Sequence, residues 1–183
     1  MSEALLVIDL QETFFDAQEN PIYNAGSLVR TANNLIDDLR ARGALIVFVQ
    51  HDDADPVDDF HPGKPSWEIH AGLHRQPEDP VVRKQHNDAF CETNLHQLLQ
   101  EKGVKTLHFA GAQTELCMDT TIRCAYSQGY RDNYIYRGAH STRNGPFMKA
   151  HQIITYHQNL WDGRFATLMA DANTPIEGTD LFE

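Results

Sequence analysis

The sequence predicts a three-layer α/β/α fold on a mostly parallel, six-stranded sheet, and three observations carry that expectation. Runs such as Ala4–Asp9 (ALLVID) and Ala44–Gln50 (ALIVFVQ) are apolar without polar alternation, which suits strands buried on both faces. Between such runs lie segments whose apolar residues recur at helical spacing. Strand and helix alternate through the whole chain, the rhythm of parallel α/β domains. The 183 residues are expected to form one domain (1–183), long enough to bury a substantial core. The sheet order that suits this pattern is 3-2-1-4-5-6, with strand 4 beside strand 1.

Taken in order, Ala4–Asp9 is the first strand, and Asp9 stands at its carboxyl end. Gln11 to Gly26 reads as loop, notable for Phe14, Phe15 and Tyr23 in polar surroundings. Ser27 is a suitable N-cap for a helix whose inner face is Leu28, Ala32, Leu35, Ile36 and Leu39, closed by Gly43. Ala44–Gln50 is the second strand. His51 to Pro80 holds most of the prolines, and a segment of that length without regular structure is generally functional or disordered. Val81–Arg83 is a short third strand, followed at once by Lys84. A helix over Glu92–Lys102 turns Leu95, Leu98 and Leu99 inward. Thr106–Ala110 is the fourth strand, punctuated by Gly111. From Thr114 a helix is expected with Leu116, Thr120, Cys124 and Tyr126 inward and Gly129 at its end. Asn133–Arg137 gives a fifth strand. A helix from near Pro146 carries Met148, Ile153, Ile154 and Leu160, and Phe165–Met169 is the sixth strand. The last dozen residues read as a tail able to cross to another subunit.

A formal charge of −11 argues against nucleic acid or an anionic membrane as the partner. MSEALLVIDLQ has no basic n-region, and its apolar run is too short for a signal peptide or a membrane span. A cytoplasmic location is the expectation. Cys91, Cys117 and Cys124 suit a reducing compartment. On one helix Cys117 and Cys124 would be separated by roughly 10 Å of rise, too far for a disulfide.

Cys117 falls in the first turn expected after the fourth strand. A helix N-terminus carries about half an elementary charge and unpaired N–H groups, both favourable to a thiolate. Asp9, Lys84 and Cys117 all lie at or just beyond the carboxyl ends of strands, where open α/β sheets place ligands. Alone, each has a plainer role: a loop cap, a solvated charge, a packed thiol. Together they form a workable set. The carboxylate takes the thiol proton, the ammonium orients both charges, and the sulfur attacks an acyl carbon.

Three stretches carry a resemblance to a known family. LLVIDLQETFF is similar to a strand followed by D-x-Q-x-x-F, VVRKQHNDAF resembles V-x-x-K-x-x-x-S-A-F, and GAQTELCMDTTIRCAYSQGY looks like G-x-x-T-x-x-C-V-x-x-T-x-R-x-A-x-x-x-G-Y. In this order they resemble the isochorismatase-like cysteine hydrolases, which include nicotinamidases and carbamoylsarcosine amidases, along almost the whole chain. The resemblance implies Asp9, Lys84 and Cys117 as catalytic residues. It also implies a cis bond before Gln113 and an oxyanion hole made by the N–H groups of Gln113 and Cys117. Gln11, Phe14 and Trp67 would lie near the substrate, Trp67 because WEIHAGL resembles W-x-L-H-x-x-L. A homo-oligomer, dimer or tetramer, is also implied.

Two departures stand out. Asp88 replaces the family's usual serine, and YRGAHST puts Gly138 where an aspartate is usual. The D-x-H that holds metal in nicotinamidases is missing from QHDDADPVDDFH. His51, Asp53, Asp55 and His61 offer ligand chemistry, as do His70 and His74 at i, i+4, but neither set brings a paired further ligand. No metal or other cofactor is therefore expected. The activity expected is cleavage of a C–N bond in a small amide, carbamoyl or ureido compound through a thioester. The alternatives are an isochorismate-type vinyl-ether hydrolase and a catalytically silent member that serves as a binding protein.

Overall fold

The computed structural model describes residues 2–16 and 20–170. Six strands form one sheet: β1 (Ser2–Ile8), β2 (Leu45–His51), β3 (Val81–Lys84), β4 (Val104–Ala112), β5 (Asp132–Ser141) and β6 (Thr167–Met169). Their order is β3-β2-β1-β4-β5-β6, the expected one. All five strand pairings are parallel. Four helices cover the sheet: α1 (Ala25–Ala41), α2 (Leu95–Glu101), α3 (Asp119–Ser127) and α4 (Ala150–Trp161).

The central strand explains the unbroken apolar runs. Ala4, Leu6 and Ile8 pack into the core under α2, α3 and α4, while Leu5 and Val7 pack against Leu28, Ala32, Ile36 and Leu39 of α1. Successive side chains leave a strand on opposite faces, so a strand covered on both sides is apolar at every position. Burying each such Leu or Ile contributes about 1.5–3 kcal/mol. Gly111 lets β4 close against β1, since a Cβ there would sit 2.3 Å from the Ile8 carbonyl oxygen. Gly138 lies in β5 at φ +79°, where the β4–β5 register shifts. That backbone conformation suits glycine.

Several boundaries differ from expectation for physical reasons. α1 starts at Ala25 behind Asn24, whose left-handed φ of +51° makes the turn, so Ser27 is inside the helix. α2 begins at Leu95, because Glu92 at φ +55° cannot continue a helix. α4 begins at Ala150, leaving Phe147 exposed and Met148 partly so. The stretch after β4 opens as a π-turn over Thr114–Met118, and α3 follows from Asp119. The buried residues of turn and helix are Thr114, Cys117, Met118, Thr121, Ile122 and Ala125. Leu116 is 42% exposed. The inner face is thus rotated by one residue from the expected one, and Met118, Ile122 and Ala125 carried the correct spacing. The segment 51–80 folds over the sheet with one 3-10 turn at Pro65–Trp67. The tail expected at the C-terminus lies outside the described residues. Among the described residues no helix is long and apolar enough to cross a membrane.

Candidate active site

Three strand ends build the site. Asp9 follows β1 at φ +52°, a left-handed conformation that Asp tolerates better than most residues. Lys84 is the last residue of β3, and Cys117 lies within the π-turn after β4. Lys84 Nζ stands 2.7 Å from Asp9 Oδ2 and 3.2 Å from Cys117 Sγ. All three residues are buried: Asp9 and Lys84 are 2% exposed and Cys117 9%. The 2.7 Å contact is an ion pair rather than a regular hydrogen bond, and neither Asp9 oxygen has a hydrogen bond of good geometry.

Burial, and next the negative charge of Asp9, push the Cys117 thiol up to about 12 against the opposing pull of Lys84. This differs from the expectation of a helix N-terminus that favours a thiolate, since sulfur sits inside a π-turn beside a carboxylate. The resting group is a neutral thiol with a base beside it. Burial opposes the charge on Lys84, yet the neighbouring Asp9 and Cys117 outweigh it and raise its pKa above the ordinary lysine value. Lys84 is therefore an ammonium.

Two further groups meet the same ammonium: His51 Nδ1 at 3.1 Å and the His86 carbonyl at 3.0 Å. Asn87 Oδ1 stands 3.6 Å from Cys117 Sγ. The nucleophile turn is held from behind by the stretch at the end of β5. His140 Nδ1 is 2.9 Å from Thr114 Oγ1, and Gln113 Nε2 donates to Thr142 Oγ1. Burial, reinforced by nearby His157, brings the His140 pKa down to about 3, so this imidazole is a neutral strut. The Ala112–Gln113 peptide bond is cis.

The ligand atoms of Asp9, His51 and Cys117 lie within 4.8 Å of one another. Lys84 Nζ already contacts all three residues, so these donors serve an internal cation and do not fit a metal ion beside it. The other sets do not gather. Asp53 and Asp55 accept backbone N–H groups of their own loop, His70 pairs with Glu12 and His74 with Asp37.

A family model described as the isochorismatase domain matches residues 3–162. The chain belongs to the isochorismatase family. It is 35% identical over 144 residues to a streptothricin hydrolase of Streptomyces noursei, covering 79% of this chain and 56% of that protein. A second streptothricin hydrolase of that organism is covered over 51% of its length, so the chain spans about half of these two relatives. The isochorismatase family protein YddQ of Bacillus subtilis is 34% identical over 131 residues, with 71% and 73% of the two chains covered. A solved isochorismatase family structure is 38% identical, with a TM-score of 0.84 and coverage of 91% and 97%.

Phe14 is 3% exposed, with its ring 5.5 Å from that of Phe60 and 5.1 Å from the Arg143 guanidinium. Trp67 is half-buried, its indole N–H donating to Asp52 and its ring lying under Arg83. Gln11 is fully buried: its Nε2 donates to the His51 and Trp67 carbonyls and its Oε1 accepts from His51 N–H, which ties the 51–80 segment to the end of β1. The motif pattern gives no sign of Asn87 or Thr142, although both stand inside the matching stretches, and it offers His51 only as a metal ligand. A hollow of about 180 Å³ bordered by Asp52, Arg83, Lys84 and His86 adjoins the site through Lys84. A larger one of about 470 Å³, by Ile69, His70 and Arg75, touches none of Asp9, Lys84 and Cys117.

Proposed function

We propose that this chain is a cysteine hydrolase that cleaves the C–N bond of a small amide, carbamoyl or ureido compound through a thioester. The observation that carries this reading is the buried contact of one ammonium with both a carboxylate and a thiol, at 2.7 and 3.2 Å. Asp9 takes the Sγ proton as sulfur attacks the carbonyl carbon. The oxyanion that forms receives the backbone N–H groups of Gln113 and Cys117. Collapse breaks the C–N bond, and the Asp9 proton leaves with the amine. Water then attacks the thioester, Asp9 takes its proton, and the departing sulfur anion is held by Lys84 until the proton returns. Phe14 and Trp67 flank the acyl group.

A relative described as a streptothricin hydrolase supports hydrolysis as the reaction class, and the three free cysteines suit the cytoplasm. Exposed Phe147, with Leu116 and Tyr156, supports self-association as a homo-oligomer. The test is an ammonia-release screen over amides and ureides, with Cys117→Ala as blank. Release by the wild type and none by the variant is the expected result. Equal release by both, or pyruvate release from isochorismate in place of ammonia, would reject the thioester route.

A further inference from the structure

The Lys84 ammonium has three hydrogens and four neighbours able to take them: Asp9 Oδ2, which it meets as an ion pair, the His86 carbonyl, His51 Nδ1 and Cys117 Sγ, all between 2.7 and 3.2 Å. An ammonium can only donate. Any hydrogen it gives to His51 therefore requires a bare Nδ1 and places the imidazole proton on Nε2. Sulfur is a strong acceptor only as a thiolate, and as a thiol or a thioester it is a poor one. We propose that His51 is a positioning residue of this site, which receives the third Lys84 hydrogen whenever sulfur is neutral and yields it when sulfur becomes an anion. Without that acceptor the ammonium has an unmatched hydrogen in a closed space during the resting and thioester stages. It then turns away from Asp9 just when the carboxylate has to act as base. The inference rests on the hydrolase reading above.

The fold prepares this arrangement. His51 and Lys84 are register partners on β2 and β3. Gln11 clamps both backbone groups of His51, and Phe60 meets its ring edge-on at 5.3 Å. The charged and titratable groups around the imidazole are Lys84, Asp9, Cys117, Asp52 and Asp53. Burial first, and then Lys84, hold the His51 pKa below 6.5 against the three carboxylates. The ring is thus a neutral acceptor near pH 7 and loses that capacity in acid.

Two variants test the idea. His51→Asn puts an amide oxygen near the place of Nδ1 and cannot titrate, whereas His51→Leu offers no acceptor. In the ammonia-release assay His51→Leu should lose kcat roughly tenfold or more, and His51→Asn should restore most of it with its acid limb moved to lower pH. A second measurement needs no substrate. The pH profile of iodoacetamide capture at Cys117, followed by mass spectrometry, should bend below pH 6.5 in the wild type and lose that bend in His51→Asn. Nitrogen NMR of the wild-type imidazole should show the Nε2–H form. Equal behaviour of the Asn and Leu variants, or an Nδ1–H tautomer, overturns the proposal. Loss of the hydrolase reading would show separately, as ammonia release that survives Cys117→Ala.

Discussion

Two clusters of buried ionisable groups stand at different levels of the same sheet, and their wiring is opposite. At the carboxyl ends, Asp9, His51 and Cys117 surround the Lys84 ammonium, whose side chain is fully buried. Toward the amino ends, His108 lies between Glu3 and Tyr136. Its Nδ1 is 2.6 Å from Tyr136 Oη, its Nε2 3.3 Å from Glu3 Oε2, and its ring stacks with those of Tyr134 and Tyr136. The cation of that cluster is Arg42, 3.8 Å from Glu3 with its side chain 50% exposed. One cluster buries its cation beside a nucleophile, while the other leaves its cation in water and keeps a neutral imidazole inside. Burial of polar groups is common to both. Only the first holds a buried charge against atoms that can exchange protons, and that distinguishes chemistry from structure.

Substitutions should separate the two clusters sharply. The largest effect is expected from Cys117→Ala, with turnover lost entirely. Asp9→Asn should lower turnover by about 10²–10⁴-fold, the usual worth of a general base. The same change should speed iodoacetamide capture of Cys117, because the Asp9 charge is one cause of its raised pKa. Slower capture would mean that Asp9 helps ionise the resting thiol.

Lys84→Met leaves the Asp9 carboxylate buried and unpaired, and should cost about 3–5 kcal/mol of stability in urea unfolding. An unfolding midpoint equal to that of the wild type would show that water reaches the pair. At the other cluster, His108→Leu strands Tyr136 Oη and Glu3 and should cost about 1–3 kcal/mol, with turnover unchanged. Burial holds the folded His108 pKa below 6.5 against the opposing Glu3 charge. The unfolded chain therefore takes up the proton first as pH falls, so this stability is present above pH 6.5 and drains away in acid. His108→Leu should flatten that acid dependence. Arg42→Gln is the smallest change, within about 0.5 kcal/mol, since its ion pairs face solvent.

Much of the crevice was legible because it depends on local pattern. An apolar run ending in Asp, a short run ending at Lys84, and a strand with glycine before a cysteine turn each announce a strand end. The parallel α/β rule then puts strand ends together. The phase of α3 is carried by Met118, Ile122 and Ala125, but the π-turn before it was not legible, because nothing in TELCM marks it. The bracing by Gln11 was not legible either, since its carboxamide meets backbone groups of a segment some forty residues away.

By itself the sequence determined the strand–helix alternation and the three residues at the strand ends, since each follows from periodicity and punctuation along the chain. The tertiary structure decided the rest: the order of the strands, that Lys84 meets a carboxylate, an imidazole, a carbonyl and a thiol together, and that Gln11 braces a segment. Those facts depend on the register of β2 against β3 and on how much water is excluded. Both are set by contacts between distant parts of the polymer, which no local pattern encodes.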